Sequence, residues 1–337
     1  MTGAGAPGAP GIIRCLQQDE RIQLTVADAD ENSIGQYLNG DFVVIPKADD
    51  ENFIPALLQI CRERKINVLM PLVTRELLQL AKHRHLFEQH GTRVLVSSHK
   101  SIQLANDKSK TYGFLKENKI DVPEFSVVTT IEEFESAAKQ LGWPGKPFCF
   151  KPSVSNGSRG FRIVSNDFDA HELLFNQKPN NVYMRYEEVL RILSNKPFPE
   201  LLVSEYLPGE EYSVDCLAFQ GEAKLVAPRL RKKMINGISV RGEFVNDENI
   251  ISYCQNIIKA MQLHGNIGIQ VKRNAEGKAL LLEINPRVQG TIVAGLGAGI
   301  NLPLLAVKQE LNLPMATEEL QVKWGTKFSR YWTEVFY

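Results

Sequence analysis

From its amino terminus the chain alternates short apolar, β-branched runs with longer stretches whose apolar residues recur at helical spacing. The runs are Leu24–Ala27, Phe42–Ile45, Asn67–Met70 and Arg93–Val96, and residues 52–65 and 74–89 are the helical stretches. Strands alternating with helices imply a parallel sheet covered by helices, so residues 1–98 are read as a Rossmann-like α/β domain. Near residue 99 the rhythm changes. Asn106-Asp107-Lys108 opens an amphipathic helix over 109–118, Ile120–Phe125 leads into a new strand, and residues 99–337 are read as a second domain. Residues 176–200 are polar, proline-bearing and irregular, as in an insertion or mobile segment. Helices are expected over 249–263 and within 295–313.

The richest chemistry lies where an apolar run ends, at Leu280–Gly290. Side chains of a strand repeat every second residue, so Glu283, Asn285 and Arg287 are expected on one face. Pro286 removes a ladder donor and signals that pairing is ending. The preceding run, Gly265–Lys272, is joined to it by the turn-rich Asn274–Lys278, which reads as a hairpin that sets Gln270 across from Glu283. Carboxylate and amide oxygens suit a hard cation such as Mg²⁺, and the arginine suits a phosphate. The bland alternative is a sheet edge with ordinary polar residues.

Phe148–Phe161 delivers Lys151 from an aromatic strand into a Ser/Gly-rich loop, which offers backbone N–H groups to phosphate oxygens. It lacks the Gly-Lys-Ser/Thr ending of a Walker A loop, and a plain turn is the alternative. Leu201–Asp215 reads as two strands broken at Pro208-Gly209, either a simple hairpin or a connection that exposes backbone to an adenine edge with Glu211 near a ribose. Pro228–Lys233 and Arg241 form the one basic cluster, either a solvated face or a site for an anionic substrate. Gly3–Gly8 fits G-x-G-x-x-G with Asp28 and Asp30 downstream, the spacing of a dinucleotide fingerprint. Only two residues precede the first glycine, so the leading strand is expected to be absent or truncated, and a glycine turn into a helix over 12–18 is the reading adopted.

Composition narrows the function. The 337 residues allow two or three modules. Lys+Arg and Asp+Glu both number 39, which argues against a dedicated nucleic-acid or membrane-surface binder. No apolar run is long enough to span a bilayer, and the amino terminus lacks signal-peptide features. Five scattered cysteines fit a reduced, cytoplasmic protein with neither a disulfide frame nor a zinc site. A homodimer is the base-rate expectation for assembly.

Together these stretches resemble the ATP-grasp superfamily, most closely the short proteins similar to one synthetase half of the carbamoyl-phosphate synthetase large subunit. The resemblance covers residues 99–310 well and the first 98 loosely. It implies a pre-ATP-grasp domain over 1–98 and an ATP-grasp domain over 99–337, with a small α+β lid at about 122–203 and an α+β C-terminal subdomain. Lys108 and Lys151 would hold ATP phosphates, with Ser155, Gly157, Ser158 and Gly160 in the lid loop. Glu205-Tyr206-Leu207 resembles the adenine hinge and Glu211 the ribose-binding acid. Gln270, Glu283 and Asn285 match the metal ligands, Mg²⁺ or alternatively Mn²⁺, and Arg287 matches the phosphate-binding arginine. With Lys151 and Arg241, Arg287 completes the set expected to act catalytically. Gly290 stands where the carbamoyl-phosphate enzymes have a second arginine. The resemblance implies a ligase that activates a small carboxylate as an acyl phosphate for attack by an amine. Carbamoyl-phosphate chemistry on bicarbonate and ammonia, a non-catalytic ATP-binding regulatory module and an NAD-dependent oxidoreductase are the alternatives.

Overall fold

The computed structural model describes residues 1–155, 159–176, 182–194, 197–235 and 237–337. The chain divides into two compact units, one of Met1–Ala105, Glu210–Val271 and Leu282–Tyr337, the other of Asn106–Gly209 and Lys272–Leu281.

The first unit opens with α1 (Ala9–Leu16), β1 (Val26–Asp28), α2 (Gly35–Leu38), β2 (Phe42–Val44), α3 (Phe53–Glu63), β3 (Val68–Leu69), α4 (Thr74–Lys82), α5 (Arg84–Glu88), β4 (Arg93–Val94) and α6 (His99–Ala105). The pairs β1·β2 and β3·β4 are parallel, as the alternating pattern predicts. The stretch 74–89 is two helices, because His83 leaves helical geometry at ψ 14°. Thr2 bridges in parallel to both Ala27 and Pro71. The leading strand is thus reduced to a bridge, secured by the Thr2 amide donating to Met70 O at 3.1 Å. Leu57, Leu77, Leu80, Phe87 and Val94 form one core here. Ile12, Ile13 and Leu16 of α1 join another with Val288 and Ile292.

The second unit carries α7 (Lys108–Glu117), β5 (Phe125–Val128), α8 (Ile131–Gln140), β6 (Phe148–Pro152), β7 (Arg162–Val164), α9 (Ala170–Phe175), β8 (Tyr183–Met184), α10 (Tyr186–Leu193) and β9 (Leu201–Glu205). Its sheet runs β5-β9-β6-β7-β8, mostly antiparallel. Asp107 caps α7 by accepting the Lys110 amide at 3.0 Å, so Asn106-Asp107-Lys108 does open a helix. The expectation of irregularity over 176–200 is corrected for the described residues. Of these, Tyr183–Met184 form β8 and Tyr186–Leu193 form α10, because Val189 is buried in the Phe134–Phe148 core and Tyr186 stacks on Trp143 at 5.0 Å, while residues 197–200 carry no helix or strand.

The rest of the chain, in the first unit except for Lys272–Leu281, carries β10 (Glu211–Phe219), β11 (Glu222–Ile235), β12 (Ile238–Phe244), α11 (Glu248–Ala260), β13 (Gly265–Arg273), β14 (Ala279–Asn285), α12 (Leu302–Glu310) and β15 (Lys327–Ser329). The six-stranded sheet runs β14-β13-β10-β11-β12-β15. β9 and β10 lie in different sheets, so the Pro208-Gly209 break is not a hairpin turn. The helix expected within 295–313 is a 3₁₀ turn, Ile292–Leu296, followed by α12. Gly299 separates them at φ +83°, a left-handed conformation that stops a helix.

Candidate active-site face

One face of the six-stranded sheet carries a set of paired charges. Directly opposed residues share a face, and Ser213 opposes Arg229 while Arg229 opposes Phe244. Alternation along β10 adds Glu211 and Asp215, and alternation along β11 adds Arg231. An acidic row on one strand therefore lies beside a basic row on the next.

At the β14 end the expected residues come together as a relay. The Arg287 Nη2 donates to Asn285 Oδ1 at 3.4 Å, and Asn285 Nδ2 donates to Glu283 Oε1 at 3.0 Å. Arg287 also donates through Nε to Thr74 Oγ1 at 3.0 Å and through Nη1 to Val288 O at 2.8 Å. Burial pulls its pKa down and the Glu283 carboxylate works against that. Gln270 joins the relay's face through Arg231, whose Nη1 donates to Gln270 Oε1 at 3.3 Å and forms an ion pair with Glu211. Arg231 is further held by Ser239 Oγ at 3.1 Å and by Gly237 O. Each amide of the expected metal triplet thus has its oxygen fixed by a guanidinium. One carboxylate and two oriented amide oxygens are the hard donors that Mg²⁺ takes, so these residues fit that ion.

Farther along the face, Arg229 and Asp215, each with a side chain 1 % exposed, form a buried ion pair at 2.9 Å. Arg229 Nη2 also donates to Thr291 Oγ1 at 2.9 Å, which ties the loop after Arg287 back over the sheet. Burial pushes the Asp215 carboxyl up despite the opposing pull of Arg229. The same loop meets α1: a Cβ on Gly8 would come within 2.4 Å of Gly290 Cα. The Gly3–Gly8 segment, whose spacing resembles a dinucleotide fingerprint, therefore packs backbone to backbone against the loop that follows Arg287.

In the second unit, Lys108 Nζ donates to Ser155 O at 2.6 Å, fastening the start of the Ser/Gly loop to the first turn of α7. Ser153 and Ser109 hydroxyls meet at 2.5 Å beside it. Lys151 Nζ sits 5.4 Å from the centroid of the Tyr112 ring. Gly160 has φ +78°, where a Cβ would strike Pro152 at 2.6 Å. Gly157 and Ser158 lie outside the described residues. The Glu205 side chain accepts the Glu124 amide at 2.9 Å, Lys272 Nζ lies 5.2 Å from the Tyr206 ring, and Leu207 is buried.

The sequence reading placed Arg241 with this chemistry; its side chain is exposed on β12, where Val240 and Gly242 are the buried neighbours. It held Arg229 and Arg231 only as members of the basic cluster, without their partners, and it missed Asp215 and Thr74. The signal for the arginines was their i, i+2 spacing at the start of the basic cluster. Among the described residues no three His, Cys, Asp or Glu side chains gather as a metal cluster, and no helix is long and apolar enough to cross a membrane.

Comparison with known proteins places this geometry. Residues 197–328 match the family "ATP-grasp in the biosynthetic pathway with Ter operon", and residues 11–95 match the "PylC-like, N-terminal domain". The structure of N5-carboxyaminoimidazole synthetase from Staphylococcus aureus with ADP superposes at TM-score 0.68 and 17 % identity, over 94 % of this chain and 77 % of that one. This chain has the ATP-grasp fold. The biotin carboxylase domain of Hydrogenobacter thermophilus 2-oxoglutarate carboxylase, in complex with MgADP, ADP and bicarbonate, matches at TM-score 0.68 and 15 % identity, over 95 % and 71 % of the two chains. The carbamoyl phosphate synthase large chain of Caldanaerobacter subterraneus is 25 % identical over 247 residues, 70 % of this chain. That match spans only 21 % of the relative, so this chain corresponds to about a fifth of the curated proteins it resembles.

Proposed function

We propose that the protein is an ATP- and Mg²⁺-dependent ligase that activates a small carboxylate as an acyl phosphate, which an amine then attacks. The observation that carries this reading is the Glu283–Asn285–Arg287 relay, with Gln270 held beside it by Arg231, within an ATP-grasp fold. Glu283, Asn285 and Gln270 would hold the metal. Bound there, Mg²⁺ would offset phosphate charge as the terminal phosphoryl group passes in line to the carboxylate oxygen. Arg287 would stabilise the charge that develops on the transferred group, and its anchors on Thr74 and Val288 keep the guanidinium in place before substrate arrives. Lys108, Lys151, Ser155 and Gly160 would take the nucleotide phosphates, joined by Gly157 and Ser158. Tyr206 and Leu207 would border the adenine after Glu205. Glu211 would take the ribose once its pairing with Arg231 is exchanged. Arg241, exposed on its strand, would act only at the rim. Division at residues 98/99, with a lid over about 122–203, completes the proposal. The lid would exclude water that hydrolyses the acyl phosphate. A cytoplasmic location, no nucleic-acid or membrane partner, a homodimeric assembly and Mn²⁺ as a substitute ion belong to the same reading.

A second reading is favoured by the carbamoyl phosphate synthase relatives: the same phosphoryl transfer to bicarbonate, with ammonia as nucleophile. Against it stands Gly290, which supplies no guanidinium and lies backbone to backbone with Gly8. The test is Mg²⁺-dependent ADP release with pooled amino acids in one mixture and bicarbonate plus ammonia in another. Stimulation by the first supports the ligase, and stimulation by the second alone transfers the assignment to carbamoyl-phosphate chemistry. ATP binding without ADP release in either would point to a regulatory module.

A further inference from the structure

The far end of the same sheet face holds a charge that the proposed chemistry does not use. Arg330 follows β15, and its amide donates to Val240 O at 2.8 Å. Alternation puts its side chain on the face of Phe328, which opposes Gly242, itself opposite Arg231. The Phe328 ring lies 5.4 Å below the Arg229 guanidinium. Arg330 is half-buried, and burial followed by the nearby Arg229 charge pulls its pKa below the ordinary arginine value.

The charges on this face do not balance. Asp215 neutralises Arg229 and Glu211 neutralises Arg231, whereas among the described residues no carboxylate pairs with Arg330. A partly dehydrated guanidinium set beside another one is unfavourable unless an anion offsets it. A second, independent sign lies in Arg229 itself. Its side chain is almost wholly buried, yet among the described residues Nη1 has no protein partner, and neither has Asp215 Oδ1 of the same pair, although Nε and Nη2 are both engaged. Buried polar groups are seldom left unmade without a functional reason.

We propose that Arg330, with Arg229 behind it, forms an anion subsite for an oxyanionic group of the acceptor substrate, distinct from the carboxylate that is activated. Guanidinium groups bind carboxylates and phosphate esters through the same paired donors, so the shared chemistry is the oxyanion. Thr291 connects this subsite to the reacting end, because the loop that begins at Arg287 returns to Arg229 through it. The substrate would therefore be doubly anionic, one group reacting and the other held. This deepens the ligase reading and depends on it for the reacting end alone.

The test is isothermal titration of the full chain with glutarate, with glycerol 3-phosphate and with neutral glutaramide, each with and without MgADP. At least one anion should bind and glutaramide should not. Arg330→Gln should weaken the anion about tenfold or more, as expected for a lost charge-assisted pair, with Arg330→Lys intermediate and MgADP affinity unchanged. Binding of neither anion, or equal binding by Arg330→Gln, overturns the subsite. Failure of MgADP itself to bind would sink the nucleotide assignment and is scored separately from the anion titrations. The two dianions report whether the held group is carboxylate or phosphate.

Discussion

Two regions of the first unit bury acids in opposite ways. In the parallel layer, Glu76 sits in the first turn of α4 with only 6 % of its surface exposed and accepts the Thr2 hydroxyl at 2.5 Å. Burial, with Asp28 adding to it, pushes its carboxyl up to about 7. On the six-stranded sheet, Asp215 is buried still more deeply but meets a guanidinium through two donors. The difference teaches what each acid is for. A buried acid met by a hydroxyl is kept by holding its proton, and its cost appears as pH dependence. A buried acid met by arginine is kept as half of a pair, and its cost appears when the partner is lost.

The largest effect expected from breaking this contrast is on the pair. Asp215→Ala strands the Arg229 charge in the core and should lower unfolding free energy by about 3–5 kcal/mol in denaturant titration. A double change, Asp215→Leu with Arg229→Met, should recover most of that loss. If the single and double variants are equally unstable, the two residues do not act as a pair.

Glu76 gives the next effect, with a defined sign. The unfolded chain loses this proton near 4.5 and the folded chain holds it to about 7, so the folded state binds more protons in that window. Stability contributed by this group therefore falls as pH rises from 4.5 to about 7 and is level above. Glu76→Gln keeps an acceptor for Thr2 and removes the titration. It should be more stable than the parent at pH 8 by up to roughly 3 kcal/mol and equal to it at pH 4. A pH-independent difference would show that burial of the charge is not the cause.

The smallest effect tests the sheet face as an orienting device. Arg231→Lys retains the charge but loses the geometry that fixes Gln270 Oε1, and should raise the Mg²⁺ concentration for half-maximal ATP turnover about tenfold. A change in turnover with the Mg²⁺ requirement unmoved would assign Arg231 another role.

These contrasts were unevenly legible in the sequence. Glu283 and Asn285 could be read because an apolar strand ended in them with intact alternation. The βα rhythm of the first 98 residues was legible for the same reason, although strands of two or three residues left their ends unmarked. Arg231 was legible only as one charge in a basic cluster. Its neighbours Lys232 and Lys233 carry the same charge and are exposed, and the β11–β12 register shifts between Arg231 and Lys233. Parity counted along the strand fails across such a shift. That is also why Arg241, opposite Lys233, faces out. Gly8 and Gly290 were legible as glycines, but their mutual contact joins residues 282 positions apart. The ion pair of Asp215 with Arg229 depends likewise on the pairing of β10 with β11.

The most direct test of the central claim, that this charged face holds the metal of a nucleotide complex, is equilibrium binding and turnover of ATP as Mg²⁺ is varied, for the parent and for Glu283→Gln. The parent should bind ATP more tightly as Mg²⁺ rises. Glu283→Gln should lose that dependence and its turnover by about 10²–10³-fold, with an unfolding midpoint close to the parent's. A folded Glu283→Gln protein with undiminished, Mg²⁺-dependent turnover would contradict the account.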